Sequence, residues 1–273
     1  MRGASSRTLG QVTEDVGPAL DAATGTDLGE QLFAVVDLLD SSGPLRRALT
    51  DPARPGADRV ALAERLLSGQ VGDQALDVVR RLVDGRWSAA RDLADALEQL
   101  AVLATVSGSA SGTGSADAVD QVEEEVFRVE RLLAGDRALR AAVANRYAPE
   151  RSRQALLEEL LGDKVSPGTL LLVRRAVLRG RGLTPERALE TYGELAAQWR
   201  RRVVALVTTA VALSAGQRAR LVEVLTRQYG RRVHLDEVVD PGVVGGVRLE
   251  VDGELVDATM TARLAESRQR LAR

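Results

Sequence analysis

A large part of this sequence matches itself when the chain is shifted by 94 residues. The two phenylalanines of the chain, Phe33 and Phe127, coincide in this register, and so do Pro55 and Pro149. Further identities, first copy before second, are Val35 and Val129, Leu39 and Leu133, Arg59 and Arg153, Glu64 and Glu158, and the runs 79–81 and 173–175. Leucine periodicity alone could align two Leu-rich bundles, but prolines, phenylalanines and paired arginines in one register favour a duplication. The segments 28–85 and 122–180 are therefore predicted to fold alike and to superpose.

The repeated segments are predicted to be helical. Leucine and valine recur at helical spacing in about six stretches before residue 106, as in the stripe from Leu28 to Leu39. Ser, Asp, Gly and Pro residues between these stripes mark the places where helices begin and end. Aromatic residues make up only 3% of the chain, so its cores must be built from Leu, Val and Ala, which favours helix packing.

These patterns divide the chain into four segments. Residues 1–106 are predicted to form an N-terminal helical bundle, and residues 118–202 a second, duplicated bundle. The stretch 107–117 between them is rich in Ser and Gly and is predicted to be a flexible linker. It falls where the first helix of the second copy would lie, so that copy is expected to lack a helix or to borrow one. Residues 203–273 are predicted to form a small α/β domain.

The C-terminal segment contains the signals of a small sheet. Val203–Val211 and Val233–Val239 are runs of β-branched and aliphatic residues, which predict strands. Val247–Val251 alternates apolar and charged residues, as a strand with one exposed face does. Asp252-Gly253 is a strong hairpin turn signal. The predicted fold class is mainly α, with two helical bundles and a small C-terminal α/β domain.

The stretch VVDPGVVGGVRLEVDGELVDAT, residues 238–259, resembles the C-terminal signature of the delta subunit of F-type ATP synthases. This family is related to the mitochondrial oligomycin-sensitivity-conferring protein. The residues that fit the signature are Asp240, Gly245, Gly246, Gly253 and Asp257. A typical delta subunit has one helical bundle, so the resemblance implies an inserted copy of about 95 residues, as in actinobacterial relatives.

The resemblance implies a stator protein rather than an enzyme. Such a subunit lies in the peripheral stalk, at the cytoplasmic face of the cell membrane, and keeps the catalytic head from turning with the rotor. The implied partners are the N-terminal segment of the alpha subunit in the head, assigned to the first bundle, and the b-type subunits of the stalk. Met260, Leu264 and Leu271 form an apolar stripe on the helix begun at Asp257, and part of it is expected to meet the stalk. No cofactor or metal is implied.

Composition and motifs argue against other functions. The formal net charge of −2 lacks the excess of Lys and Arg that nucleic-acid binding requires. His234 is the only histidine, and no nucleophile lies near it in the sequence, so a catalytic triad is disfavoured. The chain shows no phosphate-binding loop followed by Lys-Ser or Lys-Thr and no metal-ligand motif. The longest largely apolar run, Val203 to Leu213, is too short to span a bilayer. The run 123–125 of three glutamates is interpreted as a solvent-exposed helix face.

One alternative remains open at this point. A free-standing helical adaptor or regulator with an appended α/β module would share every feature except the C-terminal signature. An enzyme is a third and weaker alternative. Co-purification of the chain with the catalytic head would separate the stator from the adaptor.

Overall fold

The computed structural model describes residues 1, 3–21, 23, 25–109, 115–145, 147–200, 203–229, 233–240, 247–251 and 254–257. The helices of this part are α1 (Ala4–Asp21), α2 (Asp27–Ser41), α3 (Gly43–Thr50), α4 (Gly56–Leu67), α5 (Asp73–Asp84), α6 (Ala90–Gly108), α7 (Ser115–Gly135), α8 (Arg137–Ala144), α9 (Glu150–Leu161), α10 (Pro167–Leu178), α11 (Pro185–Arg200) and α12 (Ala215–Tyr229). The strands are β1 (Val203–Thr209), β2 (Val233–Val239), β3 (Val247–Val251) and β4 (Glu254–Asp257). The prediction of a mainly α chain with a small C-terminal α/β part is confirmed.

Polar residues fix several of the helix starts. The Ser42 side chain accepts a hydrogen bond from the backbone N–H of Leu45 at the start of α3. Asp136 does the same for Ala138 and Leu139 at the start of α8. These side chains satisfy backbone donors that have no partner inside the helix. The same cap position is therefore used in both copies, with a different residue in each.

The helix bounds repeat at the offset found in the sequence. Helices α3, α4 and α5 recur as α8, α9 and α10, and both ends of each helix are displaced by 94 residues. Helices α7 and α11 overlap the positions that α2 and α6 would occupy after the same shift. The helix order of the two segments is thus the order that duplication predicts.

Three side-chain contacts also recur at equivalent positions. The first is an ion pair between the fourth and fifth helices of each copy. The second is a side chain that accepts from the backbone N–H just before the fifth helix. The third is an arginine that donates to a backbone carbonyl at the end of the fifth helix. First copy before second, they are Arg80–Glu64 and Arg174–Glu158, Gly72 N–H to Gln31 and Ser166 N–H to Glu125, and Arg59 to Val83 O and Arg153 to Val177 O.

Helix α6 belongs to both copies. It contacts α1, α2, α3 and α5 of the first copy, and also α7 and α10 of the second. Every residue from Leu100 to Gly108 is buried. A helix at the surface of a bundle buries one stripe, whereas a helix with neighbours all round is buried on every side. The 94-residue register places residues 98–108 opposite residues 4–14 of α1, so the second copy borrows its first helix from the first.

Small residues let neighbouring helices approach α6. A Cβ atom at Gly29 of α2 would collide with Thr105 Oγ1, and one at Gly168 of α10 would collide with Ser109 Oγ. Ser107 and Gly108 fall in the predicted linker 107–117, but they form the buried end of α6. Residues 115–117 of the same stretch lie in α7, and residues 110–114 lie outside the described part. At Ser107 and Gly108, small size serves close packing.

The chain divides into two compact units, Met1–Trp199 and Arg200–Arg273. The first unit contains all the helices from α1 to α10 and one continuous hydrophobic cluster that includes residues of both copies. Its largest fully buried side chains are mostly leucines, among them Leu32, Leu97 and Leu172. The bundle boundaries proposed inside this unit, 1–106 and 118–202, stay a prediction.

The second unit contains a four-stranded sheet with the order β2-β1-β3-β4. Strands β1 and β2 are parallel and are connected through α12, which packs against β2. Strand β3 is antiparallel to both β1 and β4, so β3 and β4 form the predicted hairpin. The core of this unit consists of Val207, Leu225, Val233 and Leu235.

Candidate functional site

The described residues offer no arrangement typical of an active site. Among them, no group of three or more His, Asp or Glu residues is placed to hold a metal ion. His234 lies in β2, where its Cα pairs with that of Val204 in β1. No helix in the described ranges combines the length and the apolar character needed to cross a membrane.

The signature residues lie at the ends of strands where they are described. Asp240 follows β2, and its backbone N–H donates to Thr209 O across 2.9 Å. Asp257 is the last residue of β4, and its Cα lies opposite that of Arg248 in the antiparallel register with β3. Four other predicted sites, Gly245, Gly246, Gly253 and the stripe of Met260, Leu264 and Leu271, fall outside the described residues.

A cluster of charged residues joins the two helical copies. This inter-copy cluster consists of Arg175 and Arg181 from the second copy and Asp37, Asp40 and Glu98 from the first. Arg175 pairs with Asp37 and, at 3.2 Å, with Glu98. Arg181 pairs with Asp40 at 2.5 Å and with Glu98 at 2.7 Å. Only 4% of the Arg175 side chain is exposed, so its charge depends on these partners.

Two aromatic residues complete the inter-copy cluster. The Arg175 guanidinium lies 4.8 Å from the ring centroid of Phe33, within the range of a cation–π interaction. The Tyr192 hydroxyl donates to Glu98 Oε1 across 3.2 Å. Burial raises the pKa of Tyr192, and the negative charge of Glu98 raises it further, so the phenol stays protonated.

Arg181 remains charged in this buried setting. Burial alone would lower its pKa, but the hydrogen bonds and charges of Asp40 and Glu98 outweigh that effect and raise the pKa of Arg181 above its usual value. Its backbone has a positive φ of 48°, which a non-glycine residue rarely adopts. Arg181 is therefore a charged partner of Asp40 and Glu98 in the inter-copy cluster.

The sequence interpretation of the run 123–125 as an exposed helix face is wrong for Glu125. Glu125 is buried and accepts hydrogen bonds from Ser166 N and Ser166 Oγ, both at 2.8 Å. Gln121 Nε2 donates to it across 2.9 Å. Burial, the largest single effect, raises the pKa of Glu125, but hydrogen bonds from Thr169, Ser166 and Gln121 together lower it below its ordinary value. The repeat-equivalent Gln31 makes the corresponding contact without a charge.

We expect Glu125→Gln to destabilise the protein by about 1–3 kcal/mol at neutral pH, because a hydrogen-bonded carboxylate is replaced by a neutral amide. The lowered pKa means that the ionised carboxylate contributes its full stability above the ordinary value of about 4.3. That contribution is lost as the pH falls through the folded-state pKa. Urea unfolding at a series of pH values should therefore show the two proteins converging in acid.

The control for this experiment is the neighbouring Glu124→Gln. Glu124 is exposed and pairs with Arg128 at 3.3 Å on the surface of α7. We expect Glu124→Gln to change the free energy of unfolding by less than about 0.5 kcal/mol at every pH, because exposed ion pairs contribute little to stability. A loss at Glu125 that does not depend on pH would contradict the role assigned to its charge.

The described residues also include exposed apolar side chains. Phe127 on α7 is 55% exposed, whereas its repeat equivalent Phe33 is 5% exposed under Arg175. Leu132 on α7 and its equivalent Leu38 on α2 are both exposed. Apolar anchors at helical spacing are the features with which one helix recognises another. Sequence reasoning missed this difference between the copies because equivalent residues are identical or similar in type.

The second unit has its own exposed apolar residues. Strand β2 lies at an edge of the sheet, and its last residues, Val238 and Val239, are exposed. Glu237 of the same strand accepts a hydrogen bond from the backbone N–H of Leu213 and pairs with Arg218 at 3.1 Å. The hydrogen bond from Leu213 is the main reason why the pKa of Glu237 is lowered, and Arg218 adds to it.

Comparisons with known proteins agree on the family. A family model described as ATP synthase delta (OSCP) subunit matches residues 109–271, which cover most of the second copy and the C-terminal unit. The ATP synthase subunit delta of Beutenbergia cavernae is 46% identical over 274 residues, with 100% of both chains covered. That of Kineococcus radiotolerans is 45% identical over 268 residues, covering 98% of this chain and 96% of its own.

A third relative, the ATP synthase subunit delta of Streptomyces griseus, is 42% identical over 275 residues and aligns over 100% of both chains. Since these alignments include residues before 109, the first helical copy is shared with relatives and is not peculiar to this chain. The resemblance seen in the C-terminal signature is confirmed. The chain belongs to the ATP synthase delta (OSCP) subunit family.

Proposed function

We propose that this chain is the non-catalytic peripheral-stalk subunit of a proton-translocating F-type ATP synthase, where it joins the catalytic head to the membrane-anchored stalk. Family membership carries the proposal, because relatives that align over the whole chain are named as delta subunits of ATP synthases. The same alignments disfavour an adaptor unrelated to the ATP synthase. The subunit lies at the cytoplasmic face of the cell membrane and resists the torque of the rotor.

The architecture of the first unit supports a load-bearing role. Helix α6 contributes to both copies, and the inter-copy cluster adds buried ion pairs between them. Closely packed interiors have low compressibility and transmit strain. A force applied to one copy is therefore passed to the other through a continuous core and not through a flexible connection.

The partners of the helical unit and of the C-terminal unit are proposed separately. The helical unit binds the N-terminal segment of the alpha subunit of the head as an amphipathic helix. The first bundle was assigned this contact from the sequence, but the family match begins at residue 109 and favours the second copy. The C-terminal unit binds the b-type stalk subunits, with Met260, Leu264 and Leu271 as the proposed contacts.

Two equivalent leucines test which copy binds the head. We expect Leu132→Asp to weaken co-purification of the full-length chain with the head at least about tenfold, because a charge on the apolar face costs roughly 1.4 kcal/mol or more in binding. Leu38→Asp, at the same repeat position, should leave head binding unchanged. Both side chains are exposed, so neither change removes a core residue.

Leu264→Asp tests stalk binding by the C-terminal unit in the same co-purification experiment. It should release the b-type subunits and retain the head, because the two contacts are assigned to different units. Loss of head binding in Leu38→Asp alone would return the head contact to the first copy. If Leu132→Asp and Leu38→Asp both retained the head, the assignment of head binding to this exposed helix face would be refuted.

A further inference from the structure

An open cleft of about 630 Å³ lies at the end of α10, on the side of the second copy that faces α2. We call it the Arg153 cleft and define it by Ala144, Arg153, Val177, Arg179, Arg181 and Leu183, which line it together with Asp37 and Asp40. The signature residues and the exposed leucines discussed above do not line it. Its origin is clear from the equivalent position in the first copy.

In the first copy the equivalent arginine is fully enclosed. Arg59 is 5% exposed, and its guanidinium donates hydrogen bonds to five backbone carbonyl oxygens. These acceptors, at 2.9–3.1 Å, belong to Asp51, Arg54, Val83, Asp84 and Gly85. A cation surrounded by carbonyl dipoles is stabilised without a carboxylate. Arg59 therefore has the role of a structural tie between the third, fourth and fifth helices.

In the second copy the same tie is incomplete. Arg153 donates to one carbonyl, that of Val177, across 3.2 Å. Its Nε is buried and has no hydrogen-bond partner within the described ranges. No ion pair joins Arg153 to a carboxylate in this part of the chain. A guanidinium with one carbonyl acceptor is incompletely satisfied, so a ligand that offers acceptors to its terminal N–H groups is stabilised.

The described residues that follow α8 correspond in the repeat to residues that enclose Arg59 in the first copy. In the first copy, Asp51 Oδ1 accepts from the backbone N–H of Ala53. In the second copy, Asn145 Oδ1 accepts from the backbone N–H of Tyr147 across 3.0 Å at the equivalent position. The described carbonyls of residues 145, 147 and 148 nevertheless make no hydrogen bond to the Arg153 guanidinium, and Tyr147 is fully exposed.

On the other side of the cleft, the two copies have different residues at one repeat position. Trp87 of the first copy packs against the core and donates from Nε1 to Leu82 O across 2.8 Å. The equivalent residue in the second copy is Arg181, whose side chain pairs with Asp40 and Glu98 instead. Arg181 thus lines the cleft at the repeat position that the indole ring occupies in the first copy.

The charges of the lining select a carboxylate. Of the three arginines in the lining, Arg179 and Arg181 have carboxylate partners, whereas Arg153 has no ion pair within the described residues. Arg179 is held by Glu150 through two hydrogen bonds of 2.8 and 3.0 Å, and Arg181 belongs to the inter-copy cluster. The lining guanidinium left without a carboxylate is thus that of Arg153. A single carboxylate matches it and can accept two parallel hydrogen bonds from a guanidinium.

The remaining lining is apolar and indicates what carries the carboxylate. Ala144, Val177 and Leu183 present aliphatic surface beside Arg153. A free anion such as phosphate would leave this surface in water, whereas an acidic residue between apolar residues of a peptide would cover it. We propose that the Arg153 cleft binds a glutamate or aspartate side chain of a partner polypeptide, flanked there by apolar residues. This site goes beyond the proposed function, which assigns no partner to the cleft.

Two short peptides test the site on the full-length chain. The first is acetyl-Leu-Glu-Leu-amide and the second is acetyl-Leu-Gln-Leu-amide, which differ only in the charge of the central side chain. Titration is followed by the side-chain N–H resonance of Arg153 in a spectrum of the isotope-labelled protein. We expect the glutamate peptide to bind at least about tenfold tighter than the glutamine peptide, as charge-assisted hydrogen bonds do.

Two variants assign the difference to Arg153. Arg153→Gln should bind both peptides with equal affinity, and Arg153→Lys should keep part of the preference because it keeps the charge. Arg128→Gln removes an arginine of the exposed surface of α7 and should keep the full preference. Peptide binding to the variants is followed through backbone amide resonances. If Arg153→Gln does not fold, the Arg153→Lys result decides, and an unreduced preference in either variant overturns the proposal.

The same titration distinguishes a peptide site from a general anion site. Inorganic phosphate, added at the concentration of the peptide, should leave the peptide bound. Displacement of the glutamate peptide by phosphate would overturn the proposal, and so would equal affinity of the two peptides for the unmodified chain.

Discussion

Replacement of Arg175 by alanine should reduce the free energy of unfolding of the full-length chain by about 3–5 kcal/mol, as removal of one partner from a buried ion pair does. The Arg175 side chain is 4% exposed and pairs with Asp37 and Glu98. Its removal leaves Glu98 with less compensation in a buried site and takes the cation away from the ring of Phe33. Urea unfolding, followed by far-ultraviolet circular dichroism, measures the change.

The repeat supplies a matched control for this prediction. Arg81 occupies the same position in the first copy, but its side chain is 43% exposed and pairs with Asp77 on the surface of α5. Arg81→Ala should therefore change stability by less than about 1 kcal/mol. Equal losses in the two variants would contradict the view that the inter-copy cluster, and not helix propensity, makes Arg175 important.

Leu100→Ala should reduce the free energy of unfolding by about 2–5 kcal/mol, because it opens a cavity in a fully buried part of α6. The location of the loss is more informative than its size. Since α6 packs against both α2 and α10, amide hydrogen exchange should accelerate in helices of both copies. Leu38→Ala, at an exposed position of α2, serves as the control and should change little.

Faster amide hydrogen exchange in only one copy would show that the two copies unfold separately. If Leu100→Ala accelerated exchange in α2 and left α10 protected, α6 would belong energetically to the first copy alone. If both helices exchange faster together, the helical unit unfolds as one cooperative structure, as its continuous core indicates.

The helix bounds could be predicted from the sequence because their causes are local. Capping residues, prolines and leucine spacing recur in both copies, so α3, α4 and α5 reappear with the same ends as α8, α9 and α10. The small sheet was predictable for the same reason, since alternation and turn residues define the hairpin of β3 and β4. The C-terminal signature identified the family from a few residues around these strands.

The inter-copy cluster could not be predicted because its causes are not local. Arg81 and Arg175 are identical in type and in repeat position, yet one lies in solvent and the other between the copies. Only the docking of the copies distinguishes them, and no single window of sequence contains that information. The run 123–125 wrongly predicted an exposed Glu125 for a similar reason, because Ser166, the hydrogen-bond partner of Glu125, is 41 residues away in the sequence.

One comparison within the sequence could have revealed both features. The repeat changes chemistry from Trp87 to Arg181, which pairs across the copies, and from Gln31 to Glu125, which makes the same contact with a charge. Divergence between copies of one chain therefore marks some specialised sites without any external alignment, whereas identical pairs such as Arg81 and Arg175 escape it. It does not reveal which partner a site binds, because that depends on a surface of another molecule.

The sharing of α6 also has a consequence for the order of events during synthesis. When α6 leaves the ribosome, the helices α1 to α5 are available to cover one side of it, but α7 and α10 have not yet been made. Roughly seventy more residues must follow before α10 is complete, which takes about 4–14 s at typical rates of translation. During that interval the side of α6 destined for the second copy carries bare apolar surface, so the nascent chain is most exposed to aggregation in the middle of its own synthesis.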